Sequence, residues 1–499
     1  MNWAEKVGTV LAQGDYTETT YSCQYLVVGT GAGGSVAGSL LAERGHDVIF
    51  LEEGGYYPTE SYTSNISEMT SQLYRNQGVF PFLGKPSIAF AEGCCVGGGT
   101  VINGGLIWRT PSWVLDEWQN DYGLKGYSQK DLEKYFETVE KDMHVIKCES
   151  DEKENLDSLK LLKASEQLGW KYVMVPRAVK DCTSENLCPT GCPTGAKQST
   201  LENYIPRALK NGARIFSRCR AINVVHSNGK AKKIIARIMG SKPKHIEISC
   251  DHLVLAGGAV QTPHLLSRSK ISNMAGRKLQ FHMNLKIVAR FKDGINAEKG
   301  TIFTVQIQEF AREGLLITAS NMKPHYIAMA LSHYGNDVIN SVLDSYQNMG
   351  IFALMIRPKS SAHVISRFGD QPIVLYRFDP EDLLKIKIAL RRTATILFEA
   401  GAIDLYMPIA GMEKVTSLSD LDRKLDGLHP GKLEIITVHV MASCPMGPDP
   451  ATSLINPDGK LWNMKNILVT DASILPSNIG TSPQGTIMAF AHEIINRHI

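Results

Sequence analysis

The chain has 499 residues, 43% hydrophobic and 21% charged, the composition of a globular protein too long for one ordinary core; two or three domains are expected. Lysine and arginine number 53 against 50 acidic residues, a balance that argues against nucleic acid or an anionic membrane surface as a partner. No apolar run reaches the roughly 18–20 residues that span a bilayer. The N-terminal stretch carries neither a basic region followed by an apolar core nor a twin arginine, so the chain is expected to be cytoplasmic by default, or exported with a signal-bearing partner.

Leu26–Val28 is a short apolar run of the kind a buried parallel strand shows, and Gly29-x-Gly31-x-x-Gly34 follows at once. Ser35–Arg44 reads as a helix and Asp47–Leu51 as a second strand ending in Glu52. The glycines suit a tight turn, close approach of backbone to a pyrophosphate, and close helix–strand packing, with the helix N-terminus favouring phosphate charge. Glu52, 23 residues after Gly29, stands where a carboxylate can accept hydrogen bonds from an adenosine ribose. Strand, glycines, helix, strand and acid in this order predict a dinucleotide-binding unit.

Tyr56–Gly84 is rich in turn residues and reads as irregular surface, and Ala91–Arg109 is a second glycine-dense stretch. Ser128–His144 and Asp157–Leu168 read as amphipathic helices joined by a charged loop at Glu149–Glu154. Ala221–Met239 and His245–Cys250 alternate as a small antiparallel sheet does, and Asp251–Gly258 reads as another buried strand before a glycine turn and a helix. Between about 281 and 378, the runs LKIVARF, SAHVISRF and PIVLYRF predict a large mixed or antiparallel sheet. Pro380–Glu399 reads as a helix with Glu381 and Asp382 complementing its dipole, and 433–499 returns to strand, glycine turn and helix.

Four of these stretches, in order, resemble the motifs of the glucose–methanol–choline (GMC) flavoprotein oxidoreductases. The first is the glycine fingerprint with Glu52. The second, Gly93-x3-Gly97-Gly98-Gly99-Thr100-x2-Asn103-Gly104, is similar to the family loop whose backbone lies against the flavin. The third is Gly258-Ala259-x2-Thr262-Pro263-x-Leu265-Leu266, departing from the family at Lys270, where glycine is usual. The fourth joins His439-VMASCPMG to Asp471-Ala472-Ser473 and a helix starting near Pro483. The resemblance implies FAD held by Gly29, Gly31, Gly34, Glu52, Gly98, Thr100, Asn103, Gly104, Asp471, Ala472 and Pro483. Some relatives attach FAD covalently to a histidine just before the asparagine; Ile102 stands there, so the FAD is expected to be non-covalent.

His439 matches the family's active-site histidine. Removing a hydroxyl proton while hydride leaves carbon for the flavin suits an imidazole base. The partner position, usually histidine or asparagine, is Ser482, whose hydroxyl reaches less far. Asn478 could assist it; His282 and His429 could lie near the site, but structural roles are expected for both.

Cys182-x5-Cys188-x3-Cys192 places three thiols in one loop, a soft-metal ligand set. The sequence around them resembles the glucose, gluconate and fructose dehydrogenase catalytic subunits, some of which hold a three-iron (3Fe–4S) cluster. That resemblance implies such a cluster on Cys182, Cys188 and Cys192, with an accessory subunit or cytochrome as redox partner. Buried inert thiols, as in cysteine-containing long-chain alcohol oxidases, are the simpler alternative.

The expected protein is thus an α/β flavoenzyme. A Rossmann-like FAD domain would be built from 1–115, 195–280 and 434–499, and an α+β substrate domain with a large mixed sheet from 116–194 and 281–433. The expected reaction is dehydrogenation of an alcohol or sugar hydroxyl. Oxygen-using alcohol oxidation and a hydroxynitrile-lyase-like reaction with structural FAD are the alternatives.

Overall fold

The computed structural model describes residues 10–12, 15–147, 155–240, 243–320, 323–367 and 369–499, so the charged loop expected at Glu149–Glu154 lies outside the described residues. Two sheets organise the molecule. The first has eight strands, in the order Val10–Leu11, Arg214–Phe216, Val48–Leu51, Thr20–Val28, Lys244–Leu255, Lys230–Ile238 and Cys219–Ser227, with Ile467–Val469 also paired to Lys244–Leu255. Its central strands run parallel, in register from Tyr25 opposite Val48 and from Glu247 opposite Thr20. All four residues of Val48–Leu51 are buried, as the continuous apolar run requires of a strand covered on both faces.

His245–Cys250 and Asp251–Gly258, read as separate strands, form one, Lys244–Leu255. Its first half alternates between buried and exposed because it pairs with the antiparallel hairpin, Lys233 opposite Ser249. Its end turns continuously apolar where Leu253–Leu255 slot between Leu26–Val28 and Ile467–Val469. The change of pattern marks a change of surroundings, not a strand end.

The second sheet has eleven strands, in the order Ser361–Ile365, Ile373–Arg377, Phe80–Leu83, Ile88–Phe90, Ile435–Thr437, Met283–Phe291, Met349–Ile356, Leu315–Ala319, Val305–Ile307 and Tyr172–Met174, with Ala402–Tyr406 paired to Met283–Phe291. It is largely antiparallel and carries the predicted LKIVARF, SAHVI and IVLYR strands. The helix Pro380–Glu399 has the bounds read from sequence, and Asp379 caps its N-terminus. Gln129–Asp142 is closed by a Ser128/Asp131 capping box.

Two boundary expectations change. Tyr56–Gly84 is not irregular surface: Ile66–Leu73 is a helix whose Met69 and Leu73 are fully buried, and Phe80–Leu83 is a strand. That strand, Ile88–Phe90 and Ile435–Thr437, all assigned by sequence to the cofactor domain, belong to the large sheet. Ile88–Phe90 runs parallel to Ile435–Thr437, so two segments far apart in sequence complete the sheet from inside the FAD-domain ranges.

Candidate active site

The two glycine loops pack on each other. Gly29 has φ +102°, and a Cβ there would lie 2.3 Å from the Ala256 carbonyl oxygen. Gly34 lies against the Gly29 carbonyl, where a Cβ would come to 2.1 Å. At Gly98, φ +54°, a Cβ would sit 3.0 Å from the Gly31 Cα, so backbone meets backbone with no side chain between. A Cβ on Gly31 itself would meet no atom within 4 Å. The helix Ala32–Glu43 starts beside that space with no side-chain cap, which leaves its first N–H groups for an anionic ligand.

Thr30 ties the loops to the acid. Its hydroxyl donates to Glu52 Oε2 at 2.6 Å and accepts from the Gly97 N–H at 3.0 Å. Glu52 also accepts from the Thr30 N–H at 3.1 Å and the Gly54 N–H at 2.9 Å. Burial pushes its carboxyl above the usual range against these hydrogen bonds. A carboxylate has about four acceptor positions. Three are filled, so one ribose hydroxyl can still be accepted. Thr100 acts within the loop, donating to Gly97 O at 2.7 Å and accepting from the Thr200 N–H at 3.1 Å.

Asn103 accepts from the Gly105 N–H at 2.8 Å and donates to Gln484 Oε1 at 2.5 Å. Gly104 turns against Phe303, where a Cβ would meet the ring at 2.8 Å. The carbonyls of this loop are held from behind by two buried cations absent from the sequence reading. The Lys197 ammonium donates to Val101 O, to Asn103 O at 2.9 Å and to Cys188 O at 2.6 Å. Arg177 donates to Gly104 O through Nε at 3.1 Å and Nη2 at 2.9 Å. No sequence signal marked either residue, because basic side chains are ordinarily on the surface.

Burial pulls Lys197 down to about 8. An unfolded lysine titrates near ~10.4. Between those values the unfolded chain holds a proton that the folded chain lacks, so stability gains with rising pH. Urea unfolding at about pH 8 and about pH 10 should show wild-type stability minus that of Lys197→Met rising by about 2–3 kcal/mol. A constant difference would contradict the shift.

The cysteine expectation is corrected here. Cys182 is exposed, its Sγ 3.9 Å from Thr301 Oγ1. Cys188 is buried and its Sγ accepts from Arg177 Nη2 at 3.3 Å, while Cys192 Sγ accepts from the Lys197 N–H at 3.3 Å. Among the described residues no three His, Cys, Asp or Glu side chains are grouped to hold a metal ion. The physical reason is the turn itself: Ser184, Asn186, Gly191 and Cys192 all take positive φ, sending neighbouring side chains in different directions. Cys182, Cys188 and Cys192 do not fit a three-iron cluster.

The third and fourth motifs meet at Asp471. Its carboxylate accepts from the Gly258 N–H at 2.9 Å, Thr262 Oγ1 at 2.5 Å and the Ser473 N–H at 2.8 Å, capping the turn Ala472–Ile474. The Asp471 side chain therefore joins two chain segments. Lys270, where glycine is usual, keeps the turn by adopting φ +55°. Pro483 precedes the helix Gln484–Asn496, whose N-terminus has no side-chain cap.

His439 lies beside His282, the two Nδ1 atoms 3.2 Å apart. The short antiparallel pair Gln280–Phe281 with Val440–Met441 brings them together, and the His282 N–H donates to His439 O at 3.1 Å. His282 Nε2 accepts from the Gly480 N–H at 3.0 Å. Burial pushes His439 down to about 4, and burial, His439 and Arg357 together push His282 well below the usual imidazole range. Both rings are therefore neutral near pH 7. Ser482 makes no side-chain hydrogen bond among the described residues. The segment 480–484 thus touches the histidine pair at Gly480 and Asn103 at Gln484, with Ser482 between.

Asn478 is not free to assist Ser482. Its Oδ1 accepts from Arg357 Nε at 2.5 Å, and its Nδ2 faces the Phe281 and Pro358 carbonyls at 3.4 Å. His429 is exposed and caps its own turn through the Gly431 N–H at 3.1 Å, away from this cluster. His282, which the sequence reading named as able to lie near the site in a structural role, is the residue the fold sets against His439. It lies 157 positions from His439, and only the strand pairing joins them.

Family models described as GMC oxidoreductase match residues 23–284 and 368–491. The chain belongs to the GMC oxidoreductase family. An uncharacterised GMC-type oxidoreductase of Sinorhizobium fredii is 29% identical over 96% of this chain and 95% of its own length. One from Mycobacterium tuberculosis is 30% identical over 98% of this chain and 78% of its own length. A long-chain-alcohol oxidase of Arabidopsis thaliana is 27% identical over 95% and 67%. Among solved structures, pyridoxine 4-oxidase from Mesorbium loti superposes with a TM-score of 0.73 at 16% identity, covering 95% of this chain and 99% of that one. A variant of Aspergillus oryzae formate oxidase gives 0.76 at 13%, covering 96% and 98%. At such identities these two structures show the fold: the GMC fold, with its parallel sheet and large mixed sheet.

FAD is the cofactor that the family binds, and the donor set fits it. The open face of Gly31, the spare acceptor on Glu52 and two uncapped helix N-termini are what a dinucleotide with a flavin ring requires. No helix among the described residues is long and apolar enough to cross a membrane.

Proposed function

We propose that this chain is an FAD-dependent oxidoreductase that oxidises a CH–OH group of an alcohol or sugar. The observation that carries the reading is segment 480–484, which holds a neutral histidine pair at one end and the flavin-loop asparagine at the other. FAD, when bound, supplies the hydride acceptor. Gly29, Gly31, Gly34, Gly98, Gly104 and Glu52 would hold it, with Thr100 fixing the loop. Ile102 offers no nucleophile, which supports non-covalent attachment. The uncapped helix start after Pro483 favours negative charge developing on a reduced ring.

His439 meets the substrate oxygen. An imidazole serves a hydroxyl there either by accepting its proton or by donating a hydrogen bond to the oxygen. Molecular oxygen is the better-supported electron acceptor, on the strength of the alcohol-oxidase relative. A redox partner, an accessory subunit or a cytochrome, is the competing acceptor.

The test is anaerobic bleaching of the flavin by a panel of primary alcohols, long-chain alcohols and aldoses, followed by admission of air. Bleaching by one class, with stoichiometric hydrogen peroxide on reoxidation, is the expected result. Bleaching without peroxide and turnover only with an artificial acceptor would replace oxygen by a redox partner. A flavin that no alcohol or sugar bleaches would remove the reading.

A further inference from the structure

The two histidines constrain each other's protons. A backbone N–H can only donate, so the Gly480 N–H at 3.0 Å requires a bare Nε2 on His282. A neutral imidazole with a bare Nε2 carries its proton on Nδ1. That proton points at His439 Nδ1, 3.2 Å away, which must then be bare as well. Neutral His439 is left with its proton on Nε2. The opposite tautomer would put two N–H groups head to head, either between the rings or between His282 and Gly480.

We propose that His282 is a positioning residue: held by the Gly480 N–H, it locks His439 as the Nε2–H tautomer, so that the imidazole meets the substrate oxygen as a hydrogen-bond donor. The consequence for substrate rests on the reading of His439 as the substrate-facing group; the tautomer does not. In this arrangement His439 cannot accept a hydroxyl proton on Nε2 unless the Gly480 hydrogen bond breaks first, so the hydroxyl proton of an alcohol passes to water and the ring stabilises the alkoxide left behind. The donor suits oxygens that accept: an alkoxide, a carbonyl or a carboxylate. Such a contact strengthens where negative charge gathers on oxygen, which is the logic of an oxyanion donor.

Three other features support the lock. His282 is fully buried, so water does not replace the Gly480 donor. Its backbone N–H is itself fixed to His439 O at 3.1 Å, which sets the distance between the rings. The charged group facing His282 from a neighbouring segment is Arg357, whose guanidinium is held by Glu117 at 2.7 and 2.9 Å and by Asn478, and it opposes a second proton on the ring.

The experiment is nitrogen-15 NMR of the flavin-loaded enzyme labelled at histidine, with the two rings assigned by loss of signals in His439→Asn and His282→Asn. Pyridine-like shifts are expected for His439 Nδ1 and His282 Nε2, and pyrrole-like shifts for His439 Nε2 and His282 Nδ1. The stated tautomer should outweigh its opposite by roughly tenfold or more, since the alternative strands a buried donor. His282→Asn keeps an N–H near the Nδ1 position and should preserve the His439 pattern. His282→Leu should let the two His439 nitrogens average. A pyridine-like Nε2 on His439 in the wild type would overturn the proposal, and so would an unchanged His439 pattern in a folded His282→Leu protein. These signals do not depend on turnover, so an enzyme inert toward every alcohol and sugar would sink the functional reading and leave the tautomer measured.

Discussion

Gly29→Ala is expected to abolish soluble holoenzyme, whereas Gly31→Ala should fold and fail to retain FAD. At Gly29 the backbone takes φ +102°, and the new Cβ would fall 2.3 Å from Ala256 O and 2.8 Å from Ala256 C. Those are backbone atoms of the residue that directly follows the neighbouring parallel strand, held by the Leu255–Val28 register and by the Ala256 N–H bond to Val28 O at 2.8 Å, so neither side can yield without disturbing the ladder's end. Strain and overlap together should cost more than ~4 kcal/mol, most of the ~5 kcal/mol that holds a marginally stable domain folded. At Gly31 the same methyl meets nothing within 4 Å. It would instead occupy the space beside the uncapped start of Ala32–Glu43, where the pyrophosphate needs bare backbone. Flavin content and thermal unfolding of the two variants, each compared with wild-type apoprotein, check both halves. A Gly31→Ala protein with full flavin content would show that the cofactor does not enter the loop as proposed.

His439→Ala should lower turnover by roughly 10²–10³-fold, the usual cost of deleting one preorganised group at a reacting oxygen. Its flavin content should match that of the wild type. The His439 ring makes its one hydrogen bond, among the described residues, to His282 and none to the glycine loops. The backbone link from the His282 N–H to His439 O survives the substitution, so the strand pair should stay in place. The informative measurement is the single-turnover rate of anaerobic flavin reduction with whichever alcohol or sugar bleaches the wild type. An undiminished rate would remove His439 from the reacting centre. A rate lost together with flavin would make it a structural residue.

Much of the cofactor cradle is written locally. Gly29 to Glu52 spans one strand–turn–helix–strand unit, so the spacing of the glycines and the acid is fixed by chain geometry before any distant contact forms. The helix Pro380–Glu399 is equally local: proline, acidic first turn and capping aspartate state its start, and the structure starts it there. Lys270 shows the limit of motif matching, since a lysine holds the left-handed turn that glycine usually supplies.

The three cysteines mark where sequence proximity misleads. Ten positions separate Cys182 from Cys192, yet left-handed residues between them turn one thiol to solvent and the others to Arg177 and Lys197. The substrate side was decided wholly by tertiary contacts. His282 meets His439 across 157 residues, Gly480 fixes the proton of that pair, and the strands at Phe80–Leu83 and Ile88–Phe90 leave the cofactor segment to complete the large sheet. Local sequence determines a turn's dihedrals and a strand's burial pattern, because those depend on neighbours along the chain. Which nitrogen carries a proton, or which thiols converge, depends on partners that only folding brings within hydrogen-bond distance.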